Sequence, residues 1–283
     1  SFVVTKTADT NDGACDVADC SLREAITAAN AAASADTITF AASANGTITL
    51  TSALPVLANN GKLTIIGNGA ANTVVSGNHA VRVFDVASLA TVTIDGMTIA
   101  NGSAVGGGGG IGNQGTLTVT NSRISGNSTT GFGAGGGGIL NSPTNAANGT
   151  LTVINSAFIG NSSAAPGGGI RNTVFGTVTV INSTFSDNSG FGDGGISNLG
   201  TLSLNNSIVA NSPSGVDCGN DSQLGTINVQ NSLIDDGSCG VTGGVNVARV
   251  GSTDISGEQM RTAYNTALED VSQRLRRRLP SEE

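Results

Sequence analysis

Hydrolysis of a glycosidic bond needs two carboxylates facing one groove. Three acidic pairs in this 283-residue chain lie close enough in sequence to be considered for it: Asp187 with Asp193, Asp217 with Asp221, and the adjacent Asp235 and Asp236. Neighbouring residues on a strand point to opposite faces, so the last pair serves one site only from a turn. Elimination chemistry would instead want a basic residue beside cation-binding carboxylates. Arg82, Arg123, Arg171 and Arg249 are thinly spread, and the single histidine, His79, lies far from the acidic pairs. Aspartate is also a common turn residue, so the expectation is that these acids serve turns and that no residue is catalytic.

A second acidic group, Asp9, Asn11, Asp12 and Asp16 with Asp19 beyond it, gathers oxygen ligands around Gly13. Such a loop suits Ca²⁺, although no cofactor is expected. Its spacing departs from the EF-hand pattern, because Gly13 takes the fifth position and no distal glutamate follows correctly. Solvated turn acids are the preferred reading. Glycine-rich Ca²⁺ repeats are not matched either, since Gly190–Gly195 contains one aspartate, Asp193, and no other copy supplies it. Gly110 and Gly138 are not followed by the lysine of a phosphate loop.

The four cysteines fall into two pairs, Cys15/Cys20 and Cys218/Cys239. Two disulfides are expected, and with them an oxidising compartment. A zinc site competes poorly, with one histidine and unsuitable spacings.

The elements that must position these residues come from a repeat. An Asn-Ser phrase, or Asp-Gly in its first copy, begins at Asp95, Asn121, Asn155, Asn182, Asn206 and Asn231. A Gly-Gly-Ile phrase interleaves with it and ends at Ile111, Ile139, Ile170 and Ile196. A period of this size means stacked units that bury a core only against their neighbours. Before each Asn-Ser lies a run alternating apolar and β-branched polar residues, such as Thr116–Thr120 and Thr177–Ile181, the signature of a half-buried strand. A second short strand is expected around Ile124, Phe158, Phe185 and Ile234, and a third at Gly-Gly-Ile. About three strands per 25 residues, with like positions about 4.8 Å apart, make an all-β parallel β-helix (solenoid). Eight or nine coils are expected between Asp36 and Val250. Phe158 and Phe185 should stack inside, the Asn of Asn-Ser should bond its equivalents above and below, and Gly-Gly should supply corners of positive φ. The 21 residues from Cys218 to Cys239 are close to one coil, which would set the two thiols over each other.

The ends differ in pattern. Ser21 and Glu24 form a capping box ahead of an alanine-rich helix to about Ala33, which makes residues 1–35 an N-terminal cap. The solenoid follows over 36–252. Residues 253–283 carry Met260, Tyr264, Leu268, Val271 and Leu275 at helical spacing. This C-terminal amphipathic helix is expected to close the open end of the solenoid or to join a neighbouring subunit in an oligomer or filament.

Cys20-Ser-Leu-Arg-Glu-Ala-Ile26, between Asp9–Gly13 and Asp36–Phe40, resembles the bacterial CSLREA domain over roughly residues 1–45. The resemblance implies the N-terminal cap of a secreted or surface-displayed right-handed β-helix; it does not imply an enzymatic activity. Gly168-Gly-Ile170 with Phe158-Ile-Gly-Asn161, and Gly194-Gly-Ile196 with Phe185-Ser-Asp-Asn188, are similar to the repeats of polymorphic outer-membrane proteins.

Charged residues make up 11% of the chain, against about 25% in ordinary domains. The formal net charge of −8 argues against a nucleic-acid partner, because an acidic rod repels phosphate. No transmembrane run or signal peptide is read, and a start at Ser1 suits a mature secreted product. The expected function is a non-enzymatic extracellular or cell-surface structural or adhesive module. Its Ser/Thr/Asn face would contact surface glycans or neighbouring subunits; the alternative is a carbohydrate-active β-helix enzyme.

Overall fold

The computed structural model describes residues 1–58, 61–144, 149–239, 246–250 and 253–256, the last two segments as backbone. They build an all-β parallel solenoid of about 7 turns. A first sheet stacks nine parallel strands in chain order, from Phe2–Val4 and Asp36–Phe40 to Thr226–Gln230. A second stacks eight, from Gly46–Thr49 to Leu233–Ile234. The third carries the Gly-Gly-Ile phrases: Phe84–Val86, Ile111–Asn113, Ile139–Asn141 and Ile170–Asn172 lead to the long strand Ser189–Asn198, which pairs Ser214–Asn220.

Alternation along each strand decides what faces inward. Leu117 and Val119 of the first sheet stack on Leu151 and Val153, all fully buried. In the second sheet Ile124, Phe158, Phe185 and Val209 form one column. The two phenylalanine rings stack with centroids 4.5 Å apart and planes 10° from parallel. Ile111, Ile139, Ile170, Ile196 and then Cys218 form the column of the third sheet.

The corners differ from expectation in an instructive way. In each Asn-Ser pair the asparagine takes a left-handed conformation, φ 49° at Asn121 and Asn155 and 51° at Asn182, a region asparagine tolerates. That turns its amide outward, and the contact between Asn155 and Asn121 is a long 3.4 Å. The serine forms the buried ladder instead. The Ser122 N–H donates to Ser156 Oγ at 3.2 Å, Ser156 N–H to Ser183 Oγ at 3.1 Å and Ser183 N–H to Ser207 Oγ at 3.1 Å. Each hydroxyl donates in turn to the carbonyl two residues back. The asparagine ladders lie elsewhere, along Asn127, Asn161 and Asn188, and along Asn113, Asn141, Asn172, Asn198 and Asn220.

The glycines of Gly-Gly-Ile are not the positive-φ corners either; Gly107, Gly108, Gly135, Gly136 and Gly167, just ahead of them, are. The pair is glycine because of close approach. A Cβ at Gly138 would lie 2.6 Å from the Gly169 carbonyl oxygen and 3.2 Å from the Phe158 ring.

Helix α1, Leu22–Ala31, opens on the capping box: Ser21 Oγ accepts from the Glu24 N–H at 3.2 Å and Glu24 Oε2 from the Ser21 N–H at 2.8 Å. Leu22, Ala25, Ile26 and Ala29 are buried, and the helix packs on Phe2–Val4 and Asp36–Phe40. Glu24 also accepts from the Asp12 N–H at 2.9 Å. Burial alone would raise this carboxyl, but the Ser21 and Asp12 donors outweigh it and hold it lowered from 4.5 to about 2. A group lowered on folding contributes stability above its unfolded value, lost as pH falls through its folded one. Thermal melts should therefore lose stability between pH 4.5 and about 2, and Glu24→Gln should flatten that part of the profile. Parallel profiles for the two proteins would remove Glu24 as the cause.

Beyond the solenoid, Asn246–Val250 pairs antiparallel with Thr253–Ser256. This hairpin, and the 34-residue step from Asn121 to Asn155, explain why dividing the length by 25 overstates the turns. The amphipathic stripe of Met260, Tyr264, Leu268, Val271 and Leu275 lies outside the described residues. Among the described residues no helix is long and apolar enough to cross a membrane.

Candidate functional site

The third sheet carries an outward column through the middle residue of each Ile-x-Asn strand: Leu140, Arg171, Ser197 and Gly219 are in register. Arg171 is the one cation in this part of it. Together with Pro166, Asp193, Ser197, Leu199, Asn220 and Asp221 it lines a pocket of about 320 Å³. The long strand Ser189–Asn198 places Asp193 and Ser197, while Ser214–Asn220 runs beneath and delivers Asp221 into the following turn.

The chemistry of this pocket is polar and uneven. Arg171 Nη1 donates to Ser197 Oγ at 3.2 Å, whereas its Nε is buried with no partner. Burial lowers the Arg171 pKa, and the negative charge of Asp193 works in the opposite direction. A Cβ at Gly219 would meet the Asp193 carboxylate. Asp221 Oδ1 accepts from the N–H groups of Gln223 at 2.9 Å and Leu224 at 2.8 Å. Those bonds hold its carboxyl below the usual range. Asn198 is committed inward, its amide bonded to Asn220 and to the carbonyls of Gly200 and Thr226. A buried donor without an acceptor, two carboxylates and an apolar edge make a surface that meets hydroxyl groups well.

The sequence pairs are redistributed. Asp193 and Asp221 share the pocket, whereas their sequence partners Asp187 and Asp217 are not among its lining residues. Asp187 accepts from the adjacent Ser186 hydroxyl. Asp217 is buried and meets Asp236 across one coil: its N–H donates to Asp236 Oδ2 at 2.9 Å, and the Asp236 N–H donates to Asp217 Oδ2 at 3.2 Å. Burial pushes the Asp217 carboxyl up, with Ser212 as its other donor. Arg82 pairs with Asp85 at 2.8 Å and donates to the Gly107 and Gly108 carbonyls. Arg123 lies exposed on the second sheet, and His79 occupies an exposed turn at φ 56°.

At the N-terminus the oxygen-rich set is divided. Asp9 takes both arms of the Arg23 guanidinium at 2.9 and 2.8 Å and the Thr51 N–H at 2.8 Å. Burial would raise its carboxyl; these partners lower it. Asp16 accepts from Ala18 and Asp19 N–H groups in a local turn, and Asn11 is exposed. The carboxylates that do converge are Asp12, Asp19 and Glu24, within 4.8 Å of one another. Lys6 sits at them, 3.5 Å from Asp12 and bonded to Asp19. The ammonium offsets one of the three carboxylate charges.

Both cysteine pairs are disulfides, Cys15–Cys20 with Cα atoms 4.3 Å apart and Cys218–Cys239 at 5.1 Å across adjacent coils. They point to an oxidising environment. No family model, curated protein or solved structure matches this chain.

Proposed function

We propose that this chain is a non-enzymatic extracellular or cell-surface module, structural and adhesive, that binds glycan hydroxyls in the Arg171–Asp193–Asp221 pocket. The observation that carries the reading is a pocket that sets the Arg171 guanidinium beside the Asp193 and Asp221 carboxylates. A sugar hydroxyl would accept from the guanidinium while donating to a flanking carboxylate. Secretion is supported by the two disulfides. A right-handed winding accords with the strong preference of parallel crossovers. Helix Leu22–Ala31 acting as the cap accords with the CSLREA resemblance, and self-association through residues 253–283 belongs to the same proposal.

Screening the protein on a glycan array and titrating the strongest ligand tests it. Arg171→Gln should weaken that ligand by about 1.5–3 kcal/mol, the worth of a hydrogen bond to a charged group, with the melting temperature little changed. Undiminished affinity would move the binding site elsewhere.

A second reading, a carbohydrate-active enzyme, draws on Asp193 and Asp221 sharing the pocket. It is the weaker one. Asp221 is held ionised by two backbone donors, which suits an acceptor and not a general acid. The carboxyl that burial raises, Asp217, is engaged by Ser212 and Asp236.

A further inference from the structure

The outward face of the first sheet is a grid. One column runs Thr91, Thr116, Thr150, Thr177, Thr201 and Thr226, paired strand to strand without a register shift. The neighbouring column runs Thr64, Thr93, Thr118, Thr152 and Thr179, then Ser203. Strand separation sets the repeat along the rod at about 4.8 Å, and the two-residue step along each strand sets the other at about 6.6 Å.

Three further properties of this face bear on what it meets. Among the described residues none of these threonine hydroxyls bonds a protein group, and all are exposed or half-buried, so their hydrogen-bonding capacity is turned outward. The β-branched side chain has few χ1 choices, so a repeated environment holds hydroxyl and methyl in one repeated orientation. Charge is confined to one end, with Lys62 and Asp95; the third outward column continues with Thr120, Ile154 and Ile181. On a chain of net charge −8 this is a face selected against ionic partners.

A flexible glycan or peptide has no use for a lattice that repeats in two directions. A periodic, uncharged solid does: the strand spacing lies close to the shorter oxygen repeat on the prism plane of hexagonal ice, and the two-residue step falls somewhat below the longer one. We propose that the threonine grid is an ice-binding face: methyl groups and hydroxyls hold a layer of water in ice-like registry, and that layer merges with the crystal. The pre-organised grid lowers the ordering cost of such waters. This face is separate from the Arg171 pocket on the third sheet, and the two proposals stand or fall independently.

The test is thermal hysteresis and ice-crystal shaping by the full chain, with its disulfides intact. The wild type should hold crystals faceted and unmelted-yet-ungrown over a measurable gap. Thr152→Tyr, a bulky ring at the centre of the grid, should abolish most of that gap while the circular dichroism melt stays put. Thr118→Tyr repeats the test one strand away should the first variant unfold. Arg171→Gln should leave the gap intact. Absence of hysteresis and faceting in the wild type would overturn the proposal, as would a gap unaffected by a folded tyrosine variant. Sedimentation analysis gives the remaining outcome: a wild-type dimer that Thr152→Tyr dissociates would assign the face to a second copy of the chain and overturn ice binding.

Discussion

The Phe158→Ala variant should unfold more easily than the wild type by about 3–5 kcal/mol, the usual cost of truncating a buried phenylalanine. Phe158 is fully buried between Ile124 and Phe185 in the second sheet, and its ring stacks on that of Phe185 at 4.5 Å. Stacked rings contribute about 0.5–1.5 kcal/mol beyond the area they bury. In a solenoid each turn packs only against its neighbours, so closing the cavity would require shifting backbone held in register by three sheets. Phe185→Ala should cost a similar amount. The double variant should lose less than the sum, because each single change already removes the shared ring contact. Urea denaturation measures all three; a Phe158→Ala cost below about 1 kcal/mol, typical of a surface change, would contradict the register of the second sheet.

Asn161→Ala should rank beside it, although it removes a much smaller side chain. Asn161 is fully buried, donates to the Ile124 carbonyl at 2.9 Å and to Asn188 Oδ1 at 2.9 Å, and accepts from the Asn127 backbone N–H at 3.1 Å and its amide at 2.9 Å. Truncation strands the Asn127 N–H in the interior and takes one partner from several other groups. Each buried group left unpaired costs about 1–3 kcal/mol. Asn155→Gly makes the contrast, because Asn155 is an exposed corner at φ 49°. Glycine accepts that conformation freely, so the change should stay within about 1 kcal/mol. Equal costs at the two positions would mean that the ladder contributes nothing particular.

These two asparagines mark the boundary of what the sequence makes legible. The repeat, the inward Phe158 and Phe185 and the Cys218/Cys239 pair follow from spacing, because stacking turns an interval of about one coil into direct contact. The helix start at Ser21 and the Cys15/Cys20 pair follow from short local motifs. The division of labour inside the repeat does not. Asn155-Ser156 has the most conspicuous asparagine, yet the corner there needs a left-handed residue and hands the ladder to serine. The structural asparagines are quieter, in Ile170-Arg-Asn172 and Phe158-Ile-Gly-Asn161, where their recurrence two or three residues after the inward apolar residue was the available signal. The pocket was hidden for a related reason. Arg171 and Asp193 lie 22 residues apart and meet because that is nearly one coil, whereas the acid pairs chosen by short separation are split by the corner between them. At the N-terminus, neither Arg23 nor Lys6 carries a spacing signal that ties it to the acidic residues. Only the tertiary packing brings them onto Asp9 and Asp19.

Binding without bond cleavage is the central claim, and it is tested most directly by recovering the ligand. The tightest glycan from the array is incubated with excess wild-type protein for a day, with and without Ca²⁺, released by denaturation and weighed by mass spectrometry. The account predicts one species of unchanged mass, bound by the wild type and released from Arg171→Gln. Shortened or unsaturated oligosaccharides that disappear with Asp193→Asn would contradict it and make the pocket an active site.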